Sequence, residues 1–133
     1  MANEAVLIEF PRNSHAVRRT VANSGTIEKY TLLALTDPNT VAASAGAEAF
    51  GGIAAAEKVT LDGSTSLAAY MDGVFDLTTT GPAITVGDAV SLSGPNLIKE
   101  ATEAEIQAGR IVGWAEETST AGSEVIRVRL RGQ

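Results

Sequence analysis

Three side chains invite a chemical reading: His15 in "PRNSHAVRRTV", and Asp72 and Asp76 in "DGVFD". A histidine with carboxylates is the usual set for general acid–base work, and with an activated serine it becomes a nucleophilic triad. No serine here lies in the G-x-S-x-G turn that exposes such a nucleophile, and His15 is the single histidine. His15 therefore reads as a surface residue. Asp72 and Asp76 fall on one face of an extended segment, where solvated face charges explain them. Glu116 and Glu117 are adjacent, so on a strand they point to opposite sides and form no carboxylate pair.

Other chemistries fare no better. The sequence contains no cysteine, which excludes a thiol nucleophile, a thiolate metal site and a disulfide framework. It contains neither H-E-x-x-H nor an EF-hand loop, and "GGIAAAE" lacks the glycine spacing that cradles phosphate. Trp114, the only tryptophan, suits a core or interface anchor. The expectation is a non-enzymatic chain with no catalytic residue, no cofactor and no metal.

The elements that must carry any function are strands. In "SLAAYMDGVFDL", Leu67, Ala69, Met71, Phe75 and Leu77 alternate with polar neighbours, and Gly73 suits a bulge in one long strand. "SEVIRVRLRG" alternates Ile126, Val128 and Leu130 against Arg127, Arg129 and Arg131. One short helix is expected in "TEAEIQAG", with Thr102 and Glu105 as a capping box and Gly109 as the stop.

"IEKYTLLALTDPN" at 27–39 returns 57 positions later as "ITVGDAVSLSGPN" at 84–96. At that offset Ile27 matches Ile84, Leu35 matches Leu92, Pro38 matches Pro95 and Asn39 matches Asn96. Ala47 with Ala104, Glu48 with Glu105 and Gly52 with Gly109 continue the register, and Ile53 then meets Ile111 after a one-residue slip. Each copy reads as four strands, too few repeats for a solenoid, so the two units are expected to close on each other. The fold class is mainly β: a small β-barrel or β-sandwich-like domain with two pseudo-repeated halves and one short helix, plus an extended N-terminal arm. Residues 1–21 form the arm and 22–133 a single β-rich domain, within the range one hydrophobic core supports.

Net charge is −6, unevenly spread. Residues 21–120 hold thirteen acids against four bases, whereas both ends are basic. An acidic body is a poor match for nucleic acid, whose binding needs phosphate neutralisation over a broad positive surface. A β-barrel module for nucleic acid or another small partner is the alternative, and few aromatics speak for it. No apolar run approaches the roughly 18 residues of a membrane span, and the N-terminus has no signal-peptide pattern, so a cytosolic, soluble product is expected. The arm is distinctive. Val6, Leu7, Ile8 and Phe10 make an extended segment apolar on both faces, followed by Pro11 and by Arg12, Arg18 and Arg19. Such a segment can add itself to a neighbour's sheet or serve as an ordinary first strand.

"TLLALTDPNTVAASAG", "FGGIAAAEKV" and "STSLAAYMDGVFDL" resemble, in order and spacing, the head decoration proteins of tailed viruses typified by that of phage lambda. "AITVGDAVSLSGPNLIKEAT" through "AGRIVGWAEETSTAGSEVIRVRL" is similar to a broader set of phage and archaeal-virus capsid decoration proteins. The resemblance covers most of residues 27–131 and departs most over residues 1–21. It implies a cement protein on the outer surface of the virion, commonly a homotrimer at three-fold positions, with the major capsid protein as partner. By the same resemblance the arm, Val6, Leu7, Ile8, Phe10, Arg12, Arg18 and Arg19, is the expected capsid contact.

Overall fold

The computed structural model describes residues 3–9 and 16–130. Two closed five-stranded rings follow one another along the chain. The first is built from β2 (Val17–Thr20), β3 (Leu32–Asp37), β4 (Thr40–Ala43), β5 (Phe50–Ala54) and β6 (Ser66–Tyr70), in the cyclic order β2-β4-β3-β5-β6. The second uses β7 (Val74–Thr79), β8 (Ala89–Gly94), β9 (Leu97–Glu100), β10 (Gly113–Ala115) and β11 (Val125–Leu130), in the order β7-β11-β10-β8-β9. A parallel pairing of β7 with β9 closes it, as β2 with β4 closes the first. Closure leaves no open edge within either ring. A further strand, β1 (Val6–Glu9), pairs antiparallel with β7 outside the second barrel.

The mainly β class, the two related halves and the single short helix all hold. The manner of closure differs from expectation: each copy closes on itself, with five strands instead of four. The cause lies in "SLAAYMDGVFDL". Gly73 adopts φ 110°, a left-handed conformation that glycine tolerates, and it ends β6 and starts β7 instead of bulging one strand. Leu67, Ala69, Met71, Phe75 and Leu77 are all buried, but in two different barrels. Residues 17–20, expected from the sequence to belong to the arm, form β2 of the first barrel.

The repeat is a register, not only a resemblance. Leu33↔Ala43, Ala34↔Ala42, Leu35↔Val41 and Asp37↔Thr40 in β3–β4 return as Val90↔Glu100, Ser91↔Lys99, Leu92↔Ile98 and Gly94↔Leu97 in β8–β9, irregularity included. Asn39 at φ 54° and Asn96 at φ 56° form the turn in each, a left-handed position that asparagine accepts. Beyond β4 and β9 the offset is no longer 57. Gly52 faces Leu33 and Gly113 faces Val90, so Gly52 corresponds to Gly113 and Ile53 to Trp114, an offset of 61. The pairings of Gly52 with Gly109 and Ile53 with Ile111 are thus superseded. Both positions require glycine for close approach: a Cβ on Gly52 would sit 2.8 Å from Ala69 Cβ, and one on Gly113 would sit 2.0 Å from Arg129 O.

The extra residues hold α1 (Glu103–Gln107). Its expected capping box is present: Thr102 Oγ1 accepts from Glu105 N, and Glu105 Oε1 accepts from Thr102 N. Glu105 also accepts from Lys99 Nζ at 2.7 Å and from Ser91 Oγ at 3.1 Å. Burial raises the Glu105 pKa, but Lys99, the Thr102 amide and Ser91 outweigh it and bring the carboxyl down to about 2.

The barrel interiors alternate as strands must. Leu33, Val41, Ala54, Leu67 and Ala69 fill the first barrel. The opposite faces of the same strands, Leu32, Ala34 and Ile53, join the apolar cluster of the second barrel. Fully burying Leu32 and Ile53 contributes roughly 1.5–3 kcal/mol each. The junction is sealed by the Gly94–Asn96 turn. Leu32 N donates to Asn96 Oδ1 at 2.8 Å, Asn96 N donates to Ser44 Oγ at 3.2 Å, and Ser44 Oγ donates to Gly94 O at 3.0 Å. β1 straps the same junction, since Ala5 N donates to Tyr30 O of the first barrel while Leu7 pairs with Phe75 of the second.

Two outcomes follow for stability. Asn96→Gly keeps the turn's backbone conformation but leaves the buried Leu32 amide unsatisfied, so chemical denaturation should show a loss of about 1–3 kcal/mol. Asn39→Gly, at the exposed turn of the first barrel, should cost well under half as much. Because the Glu105 pKa is lowered on folding, its contribution is present above the ordinary carboxylate range near pH 4.5 and is lost as pH falls towards about 2. Wild type should lose on the order of 2 kcal/mol across that window relative to Glu105→Gln; parallel acid unfolding curves for the two would refute the assignment.

Candidate functional site

The residues singled out for chemistry do not converge. His15 lies outside the described residues. Asp76 faces Arg127 across the β7–β11 pairing and makes an ion pair with its Nε at 3.7 Å. Glu116 Oε2 accepts from Arg129 Nε at 2.8 Å, and Glu117 Oε1 accepts from Arg127 N at 2.8 Å, so the two adjacent carboxylates serve different partners. Among the described residues no group of three or more histidine, cysteine, aspartate or glutamate side chains could hold a metal ion. No helix in them is long and apolar enough to cross a membrane.

A buried cation is present, and it is structural. Lys58, 1% exposed, donates from Nζ to the carbonyl oxygens of Asn23, Gly25 and Val59 at 2.8–3.2 Å and pairs with Asp62 at 3.4 Å. It ties together the two loops that meet at the Ile27–Lys58 bridge. Backbone amides of Ser64 and Val59, then Lys58, hold the Asp62 carboxyl below the usual carboxylate range. In the second barrel the bridge is Ile84–Ser119, with a serine hydroxyl in place of the ammonium.

The remaining candidates are surfaces. On β1, Leu7 turns towards the core, whereas Val6 and Ile8 are 54% and 39% exposed. Pairing with Phe75 fixes that facing, and the side of β1 away from β7 carries no strand among the described residues. Arg18 donates to Ser66 Oγ and remains exposed. Arg19 is more committed, donating to Gly51 O, Asn39 Oδ1 and Met71 Sδ. Phe10 and Arg12 lie outside the described residues. Arg19 also lines a groove of about 480 Å3 with Val17, Leu35, Phe50, Met71 and Gly109, where the end of α1 meets the first barrel.

A second surface was missed by sequence reasoning. Trp114, expected in the core or at an interface, is 43% exposed on β10. Its counterpart Ile53 is completely buried at the junction. The same split applies to Tyr70, half-buried against Phe75 with ring centroids 5.9 Å apart, and its counterpart Arg129, which is exposed. The only signal in the sequence is the identity of these residues once the offsets of 61 for Ile53 and Trp114 and 59 for Tyr70 and Arg129 are known, and the changes in length conceal those offsets.

No protein-family model matches this chain. No curated protein sequence matches it. Among solved structures it is similar to the head fiber gp8.5 N base in bacteriophage phi29, at 16% identity and a TM-score of 0.47, covering 86% of this chain and 92% of that one.

Proposed function

We propose that this protein is a capsid decoration protein: a non-enzymatic cement component that binds the outer surface of an expanded viral capsid through its N-terminal strand and stabilises the shell. The observation that carries this reading is the facing of β1, which anchors itself through Leu7 and presents Val6 and Ile8 outward at a sheet edge that no strand among the described residues covers. A strand held in this way needs little ordering before it pairs with, or packs on, a partner's sheet. The major capsid protein is the proposed partner and a homotrimer the proposed binding unit, both as implied by the resemblance to decoration proteins. Phe10, Arg12 and Arg18 are the proposed companions of Val6 and Ile8 in the contact; Arg19 is committed to Gly51 O, Asn39 Oδ1 and Met71 Sδ.

The physical logic is linkage. A protein that binds only the expanded form of a shell stabilises that form by the full free energy of binding. Two closed barrels supply a rigid body for this, and an acidic surface keeps densely arrayed copies soluble. Nothing in the arrangement needs bond-making chemistry.

Removing residues 1–20 would destroy β2 and with it the first barrel, so the test must be finer. Val6→Asp together with Ile8→Asp changes only outward side chains and should leave the thermal unfolding midpoint within a few degrees of wild type. Co-sedimentation with expanded capsids of the virus that carries the gene should fall by about tenfold or more. Undiminished co-sedimentation of this double variant would refute the docking assignment.

A further inference from the structure

The two barrels of one chain are joined head to tail. The first offers a receiving face, with Leu32, Ser44, Ile53 and Tyr70, and the second inserts the Gly94–Asn96 turn. A two-fold arrangement would bury the matching parts of both barrels equally. It does not occur here. The first barrel's own turn, Asp37, Pro38 and Asn39, is exposed, and on the second barrel's matching face Trp114 and Arg129 are exposed and Ala89 only half-buried. The helix α1 covers Ser91, the counterpart of Ala34, but leaves those three positions uncovered. Each chain thus holds one completed turn-and-face contact and, among the described residues, two exposed halves of a second, the turn half held in place by the Arg19 Nη1 bond to Asn39 Oδ1.

We propose that the Trp114 face of the second barrel is a docking site for the Asp37–Asn39 turn of a second copy of this chain, repeating between chains the contact that joins the barrels within one. This docking site rests on the oligomeric part of the proposed function and gives it a surface. A contact of this kind is heterologous, so it builds a ring when the rotation closes and a filament when it does not. Register supports the match: Asp37 stands where Gly94 stands and Asn39 where Asn96 stands, each turn with its asparagine left-handed. The receiving strands match as well, since Ser44 N donates to Leu32 O and Ala101 N donates to Ala89 O. Ala101 lacks the hydroxyl that Ser44 uses, and Trp114 replaces Ile53, so the contact between chains exchanges two hydrogen bonds for a larger aromatic anchor.

Within the chain Ser44 touches Gly94, so between chains position 101 should touch position 37. The chain has no cysteine, which leaves single introduced thiols free of background. Asp37→Cys and Ala101→Cys are prepared separately, and each alone and an equal mixture are treated with a short bismaleimide. The mixture should give covalent dimers at about ten times the yield of either alone, and Trp114→Glu placed in the Ala101→Cys chain should weaken assembly by about thirtyfold, the size expected of a central anchor. Light scattering separates the failures. Wild type that is oligomeric while the mixture does not cross-link overturns this surface and leaves oligomerisation standing; wild type that remains a 13.7 kDa monomer overturns both.

Discussion

The Asn96 side chain is the hinge on which the whole arrangement depends. It belongs to the second barrel's turn yet satisfies the Leu32 amide of the first, completely buried. A buried amide left unpaired is costly, so the turn must sit on the first barrel in one orientation. That orientation determines which outer faces are covered. Leu32, Ala34 and Ile53 become core residues though they point out of their own barrel, and Leu7 and Ala5 close the seam.

From this constraint comes the divergence between the copies. The interiors have kept like with like: Leu33 corresponds to Val90, Leu35 to Leu92 and Val41 to Ile98. The exteriors have separated, because one is buried at the junction and the other is not. Leu32 faces Ile53 where Ala89 faces Trp114, and Ala34 packs in the junction where Ser91 seats Glu105 of an inserted helix. The two barrels share one strand register, and the junction makes their outer faces unequal.

The sequence disclosed the interiors well. Period-two alternation located most strands, and the offset of 57 holds across β3–β4 and β8–β9 because the Pro-Asn turn fixes register there. It failed where length changed. α1 shifts β10 by four positions, from an offset of 57 to one of 61, so identities such as Gly52 with Gly109 fell in register without structural meaning. Gly73 was legible as an irregularity but not as the boundary between barrels, since the apolar odd-numbered positions resume beyond it at Phe75 and Leu77, although Val74 beside them is buried too. The surfaces were least legible: the exposure of Trp114 and the outward facing of Val6 and Ile8 depend on pairings that no local pattern encodes.

Amide hydrogen exchange at Leu32 tests the junction most directly. Its amide donates to Asn96 Oδ1 across the seam. If the two barrels form one locked unit, Leu32 should exchange with the slowest core amides, through global opening. Exchange of Leu32 as fast as the exposed turn amides, with Leu33 and Val90 still protected, would mean that the barrels part freely and would contradict a junction locked by Asn96.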